Sequence, residues 1–291
     1  MQESTVSSAH SGMKLGTYLH HVLDISSTQI KSAKWENRIL VNGTPKFVSF
    51  TLCEGDRVTF LDSEIVPVYS VTPSDIPINV VYIDDYLMII DKPARIATSS
   101  SIRYPHDALE NAVFSYLGCP DGFIFRPINR LDKGTSGLMC VARDPYTQCT
   151  LQSLLHTAAF ARSYLAVTDG IPEQPKGTID LPIGKKEGPT IQREIRQDGK
   201  PSITHYEVLC ENNSRSLIRL KLETGRTHQI RVHLSSIGCP VFGDFLYGKE
   251  SDMLPGRFAL HSESLTLIHP KTHESMTFSS DLPSELRHLL D

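Results

Sequence analysis

The 291-residue sequence contains no apolar run near the roughly 20 residues that a membrane-crossing helix requires, so no transmembrane anchor is expected. Its Ser-rich start has neither a basic head nor an apolar centre and does not read as a secretory leader. The cysteines, at 53, 119, 140, 149, 210 and 239, form no C-x-x-C pair. That spacing argues against a zinc knuckle and a secreted disulfide scaffold, and points to free thiols in a cytoplasmic protein. No H-E-x-x-H occurs, and His228 and His233 are five apart rather than the three or four of a helical metal site. With His261, His269 and His273 they read as structural, hydrogen-bonding residues, and no metal is expected. Gly243 to Lys249 copies the outline of a phosphate-binding loop, but Glu250 stands where the magnesium-binding Ser or Thr belongs. No nucleotide or other cofactor is therefore expected.

What the chain does have is enough apolar material to build cores: 40% hydrophobic against 21% charged residues. At roughly 150 residues per domain, its length suggests two. The formal net charge is −4, which counts globally against a nucleic-acid binder. Locally the balance reverses. In residues 14–50, Lys14, Lys31, Lys34, Arg38 and Lys46 stand against Asp24 and Glu36, a net of +3. In residues 126–165, Arg126, Arg130, Lys133, Arg143 and Arg162 stand against Asp132 and Asp144, again +3.

The organisation follows from periodicity. Residues 1–12 read as a flexible start and 13–62 as a small unit. Leu15, Leu19, Val22 and Leu23 recur at helical spacing, and a second helix runs from Ser26-Ser27 through Trp35. Ile39–Val41, a turn at Asn42-Gly43 and Lys46–Val48 predict a hairpin, and Arg57–Phe60 a last strand. Pro67, Pro73 and Pro77 mark residues 63–78 as a linker, leaving 79–291 as the second domain. There, strands are predicted at 80–83, 86–90, 136–141, 163–167, 204–209 and 218–222, with a turn at Asn212-Asn213. Helices are predicted at 107–117, 145–156 and 231–236. Many strands and few helices predict an α+β fold with a largely antiparallel sheet.

Two stretches concentrate reactive side chains. Arg130 to Leu138 packs a carboxylate, two cations, two hydroxyls and two glycines ahead of an apolar strand. A capped loop, with Asp132 bonding local amides, explains it as well as a reactive site does. Thr224 to His233 holds two Arg, two His and a Gln, yet Ile230, Val232 and Leu234 argue that part of it is buried. A buried Arg needs a carboxylate partner, and Asp132 is one candidate among many.

Taken in order, these segments resemble the RluA-type RNA pseudouridine synthases. The resemblance runs through Ile90-Asp91-Lys92-Pro93, Asn129-Arg130-Leu131-Asp132-Lys133-Gly134-Thr135-Ser136-Gly137, Arg162-Ser163-Tyr164, Thr224 to His233, Gly238 to Asp244, Leu260-His261 and His269-Pro270. Residues 13–62 resemble the small alpha-L RNA-binding domain that many of these enzymes carry in front. The sequence differs from the family pattern at four places: Asn129 for His, Arg95 for Gly, Arg162 for the commoner Lys, and Cys239 for His.

The resemblance implies a pseudouridine synthase-like core and the isomerisation of uridine to pseudouridine in RNA, after the base is flipped out. Large-subunit ribosomal RNA is the first expectation, with transfer RNA the alternative. It implies Asp132 as nucleophile, or as the base that opens a glycal route, with Arg231 as its cationic partner and Tyr164 stacked on the uracil. Arg130, Arg226, Leu260, Thr135 and His228 are the implied substrate-binding residues. Lys14, Lys31, Lys34 and Arg38 are the implied contacts of the leading domain to phosphate. No membrane partner is expected, and the chain is expected to be a monomer. The rival readings are a non-catalytic RNA binder on the same fold and a phosphate-dependent enzyme built on 243–249.

Overall fold

The structure is a computed structural model that describes residues 2–35, 38–61, 71–101, 104–155, 157–212 and 214–291. The chain divides into two compact units, residues 1–70 and 71–291. Residues 63–70, half of the expected linker, and Asn213 of the expected turn lie outside the described residues, as does His156 at the expected end of one helix.

In the first unit, β1 (Gln2–Thr5), α1 (Leu15–His21), α2 (Ser27–Trp35), β2 (Ile39–Val41), β3 (Thr44–Pro45) and β4 (Arg57–Phe60) surround one small core. The sheet order is β1-β4-β2-β3. The expectation of a flexible start needs correction. Residues 2–5 pair antiparallel with β4, from Gln2 opposite Phe60 to Thr5 opposite Arg57. Val6 behind them is 1% exposed and packs with Leu15, Leu19 and Val58. The strand is polar because it lies at a sheet edge, so its sequence carries no apolar signal. The hairpin turn is at Asn42-Gly43, with both residues at positive φ, as a tight two-residue turn requires. Its return strand is Thr44–Pro45, earlier than the expected 46–48.

In the second unit, β5 (Asn79–Ile83), β6 (Leu87–Lys92), α3 (Leu109–Tyr116), β7 (Arg126–Pro127), β8 (Ser136–Ala142), α4 (Pro145–Leu154) and β9 (Phe160–Asp169) come first. Then follow β10 (Lys176–Asp180), β11 (Ile183–Lys185), β12 (Arg193–Ile195), β13 (Ile203–Asn212), β14 (Arg215–Leu222), α5 (Gln229–Ser236), β15 (Leu260–Ile268), β16 (Ser275–Ser279) and α6 (Ser284–Arg287). One ten-stranded sheet runs β10-β13-β14-β9-β15-β8-β6-β5, with β16 on β15 and β7 on β8; β11 and β12 form a separate hairpin. The fold is α+β, and the sheet is antiparallel except where β8 and β15 run parallel. Residues 71–78 belong to this unit rather than to a linker. Thr72 and Ser74 are hydrogen-bonded to α3, and Ile78 packs on the core.

Side-chain alternation splits the sheet's apolar residues between its faces. Met88, Ile90, Met139 and Val141 join one core; Leu87, Ile89, Leu138 and Cys140 join the other. All of β8 is buried, as befits a central strand covered on both sides. Where β8 enters the sheet, Gly137 lies opposite Ser262 at φ 104. A Cβ there would come within 2.3 Å of the Ser262 carbonyl oxygen. Only glycine lets the two backbones approach so closely, and that approach sets the loop before β8 beside β15.

Candidate active site

The loop at 130–135 is held from behind by backbone contacts. Thr98 Oγ1 donates to the Leu131 carbonyl at 2.8 Å, and the Arg95 amide donates to the Lys133 carbonyl at 2.7 Å. The Thr135 amide closes the turn onto the Asp132 carbonyl at 3.0 Å. This leaves the Asp132 side chain 29% exposed, at the wall of a cavity of about 320 Å³. Tyr164 on β9, Leu260 at the start of β15, Thr135, Arg130, Arg162 and residues 225–231 line the same cavity.

Arg231 organises the charge. It sits on α5 with its side chain 3% exposed. Its Nη1 donates to Asp132 Oδ2 at 2.9 Å, while Nε and Nη2 donate to the two oxygens of Asp244 at 2.6 and 2.8 Å. Asp244, fully buried, also accepts from the Leu246 and Tyr247 amides. The Phe258 ring lies 4.1 Å beneath the guanidinium. Burial alone would lower the Arg231 pKa, but Asp244 and then Asp132 hold it above its ordinary value. A bidentate pair with one carboxylate thus fixes the guanidinium plane and points its free edge at the other.

The segment before α5 is tied down by Gln229. Its Oε1 accepts from Thr224 Oγ1 and the Arg226 amide at 2.8 and 2.9 Å, and its Nε2 donates to Ile203 and Thr204 on β13. His228 precedes the helix at φ 60, in the left-handed region. Its Nε2 is 3.8 Å from Asp132 Oδ2, and its Nδ1 is 2.8 Å from the Tyr247 hydroxyl.

The family model for RNA pseudouridylate synthase matches residues 86–236, more than half of the chain. The chain belongs to the RNA pseudouridylate synthase family. It is a synthase of the RluA type, and the non-catalytic reading is set aside. It is 36% identical over 253 residues to the uncharacterized RNA pseudouridine synthase YjbO of Bacillus subtilis, covering 86% of this chain and 88% of the relative. It is 32% identical over 312 residues to the ribosomal large subunit pseudouridine synthase D of Salmonella typhimurium, covering 99% and 93%. Among solved structures, human RNA pseudouridylate synthase domain containing 1 superposes with a TM-score of 0.57 at 26% identity, covering 70% of this chain and 83% of that one.

In this synthase all eight expected catalytic and substrate-binding residues line the one cavity: Asp132, Tyr164, Arg231, Arg130, Arg226, Leu260, Thr135 and His228. The four expected phosphate contacts lie in the first unit. Lys14 precedes α1 and donates to Thr51 Oγ1, Lys31 and Lys34 are on α2, and Arg38 donates to the Leu61 carbonyl at 2.8 Å.

Two of the synthase's departures from the family pattern have a visible setting. Arg95 adopts φ 73, where glycine is at ease, and its side chain is anchored to the Pro255 carbonyl and Glu285 at 2.9 and 3.1 Å. Asn129 is 3% exposed; its Oδ1 accepts from the Cys140 amide, and its Nδ2 has no partner among the described residues.

Sequence reasoning missed Asp244 and Tyr247. Both lie in 243–249, a segment whose outline imitates a phosphate-binding loop. A signal was available: a buried Arg demands a carboxylate, and Asp244 follows Gly243 in the same family-like run. Of the late histidines, His261 bonds Ser136 and the Ser280 carbonyl, and His269 bonds Asp84. His233 bonds Thr204 and the Leu181 carbonyl. These three tie strands and loops together.

Proposed function

We propose that this synthase converts uridine to pseudouridine in large-subunit ribosomal RNA, with Asp132 as the reacting carboxylate. The observation that carries the reading is the Asp132–Arg231–Asp244 array at the wall of a cavity that also holds Tyr164 and Leu260. The ribosomal substrate is supported by the likeness to the large-subunit synthase D over nearly the whole of both chains.

The reaction is an isomerisation. The bond from ribose C1′ to uracil N1 breaks, the base turns within the cavity, and C5 bonds to C1′. The C5 proton leaves and N1 regains one. Asp132 either attacks C1′ or removes the C2′ proton to begin a glycal route, and both begin from an ionised carboxylate. Arg231 donates to that carboxylate at 2.9 Å and fixes its orientation in a site that excludes water when the base is seated. Tyr164 stacks on the uracil, and Leu260 walls the opposite side. Arg130, exposed at the rim, fills the gap in the RNA stack or holds the flipped nucleotide's phosphate. Extruding the base costs a few kcal/mol, which phosphate contacts from Arg226 and from Lys14, Lys31, Lys34 and Arg38 offset. The first unit serves as the RNA-binding domain, recognising shape and backbone.

Tritium release from RNA labelled at uracil C5 tests the reading. Wild type is expected to release tritium from unmodified ribosomal RNA and Asp132→Asn to release none. Release from transfer RNA alone would overturn the ribosomal assignment. Turnover by Asp132→Asn would remove Asp132 from the chemistry.

A further inference from the structure

The hydrogen bonds around Tyr247 determine which nitrogen of His228 carries its proton. The Tyr247 hydroxyl oxygen accepts from the Arg193 amide of β12 at 2.7 Å. The hydroxyl keeps one hydrogen to donate, and its other contact is His228 Nδ1 at 2.8 Å. If Nδ1 is the acceptor, the Arg193 amide and the Tyr247 hydroxyl both find partners. The neutral ring then carries its hydrogen on Nε2, the nitrogen 3.8 Å from Asp132 Oδ2. The opposite tautomer would strand the hydroxyl hydrogen and set a lone pair of Nε2 against the carboxylate. His228 also holds a left-handed backbone, φ 60, that a non-glycine residue rarely keeps without a reason.

We propose that His228 is a positioning residue for Asp132: Tyr247 fixes it as the Nε2–H tautomer, and it restrains Oδ2 jointly with Arg231 so that Oδ1 is presented to the sugar. The proposal rests on the reading of Asp132 as the reacting carboxylate. Oδ2 already accepts from Arg231 Nη1, whereas the described hydrogen bonds include none from another side chain to Oδ1. A small rotation of Asp132 closes the 3.8 Å gap once substrate fills the cavity. The far end of the chain is the β11–β12 hairpin, where Gln192 Nε2 also donates to the Leu246 carbonyl at 3.0 Å. The placement of that hairpin therefore reaches Asp132 through two hydrogen bonds and one ring.

The charges facing His228 come from several elements. Burial lowers its pKa from the ordinary value; Asp132 opposes that, Arg231 and Arg193 reinforce it, and Asp244 opposes it. The hydroxyl donor from Tyr247 further favours the neutral ring. A protonated ring would bind Oδ2 as a second cation and blunt the carboxylate, giving the rate an acid limb.

The test combines a spectrum with two variants of the full chain. ¹⁵N imidazole NMR, with His228 assigned by its loss in His228→Gly, is expected to show Nε2 protonated and Nδ1 bare. The Nδ1–H tautomer would overturn the proposal whether or not an RNA substrate has been found. Glycine is at ease at φ 60, so His228→Gly is expected to keep its fold, and it is assayed at saturating RNA so that affinity does not enter. Its single-turnover rate is expected to fall roughly 100-fold, the cost of a misplaced reacting group, and to recover in part with added imidazole. A rate within twofold of wild type would overturn the proposal and leave the reading of Asp132 standing. Should His228→Gly melt early, Tyr247→Phe decides. It keeps the ring but loses the donor, so the acid limb must move to higher pH, and an unmoved limb overturns the proposal. A wild-type chain that turns over while Asp132→Asn does so equally would overturn the reading on which the proposal rests.

Discussion

Removing Asp244 would leave two N–H donors of a buried guanidinium facing protein that cannot solvate them. Arg231 would retain one bond, to a carboxylate that is itself partly in solvent. Breaking a buried pair on one side costs about 3–5 kcal/mol, so Asp244→Ala is expected to lower the melting temperature sharply in calorimetry. Asp132→Asn is expected to do the reverse: turnover is lost, while melting and RNA affinity stay near wild type, because the amide keeps the shape and an acceptor for Arg231. A stable Asp244→Ala chain would mean that Arg231 is held by its ring neighbours rather than by charge. The difference between the two aspartates was not legible in the sequence. Asp132 stood out through the family signature around it. Asp244 looked like part of a defective phosphate loop, because a one-dimensional pattern does not show which carboxylate a buried arginine faces.

At the scale of elements, most helices and strands β5, β6, β8, β9, β13 and β14 were legible because their apolar residues recur at helical spacing, alternate with polar ones or form short unbroken runs, whereas β15, central in the sheet, was missed. Leu15 and Leu19 on α1, and Ile218 and Leu220 on β14, are buried as their spacing predicts. Strands β1, β10, β11 and β12 escaped because their residues are polar or half-buried and pairing, not burial, defines them. The crossing of β8 and β15 was legible only as a glycine in a motif; its reason is the close backbone approach at Ser262. Two glycines separate the effects. Gly238, at φ 77, has open space where a Cβ would go, so Gly238→Ala meets only the left-handed penalty of about 1–2 kcal/mol. Gly137→Ala adds a collision at 2.3 Å to its positive φ, and the strands must part to relieve it. Calorimetry is expected to rank Gly137→Ala well below Gly238→Ala, and Gly137→Ala is also expected to lose turnover, since the crossing places Thr135 and Leu260 in one cavity. Equal melting of the two would show that the crossing yields easily.

Over the whole molecule, charge acts through protons and through phosphate. Burial lowers the pKa of His228, His233 and His261 and, with the Arg257 charge, brings Lys92 down to about 7. A basic group depressed by folding destabilises the native state below its folded value and ceases to do so above its unfolded one. The histidines therefore add stability as pH climbs towards 6.5, and Lys92 continues the rise from about 7 towards 10.5. The raised thiol of Cys140 opposes this only above the ordinary thiol value of 9.0. The melting temperature is expected to rise from pH 5.5 to 8.5, and Lys92→Met to flatten its upper half; a flat wild-type profile would mean that these groups titrate as in water. Calorimetry suits this better than fluorescence, because the single tryptophan, Trp35, lies on α2 of the first unit. Phosphate binding must then overcome a net charge of −4. Global repulsion and local attraction differ in range: beyond about 10 Å at 0.1 M salt the acidic excess is screened, whereas lysines touching phosphate still release counterions. Lys31 and Lys34, three apart on α2, are the simplest probe of that release. Replacing both with Gln is expected to weaken RNA binding and to reduce the slope of log affinity against log salt by about 1.5, since each phosphate that a lysine neutralises adds roughly 0.7–0.9 to it. An unchanged slope would place α2 away from the RNA and shift the phosphate-binding role to Lys14, Arg38 and the cations around the cavity.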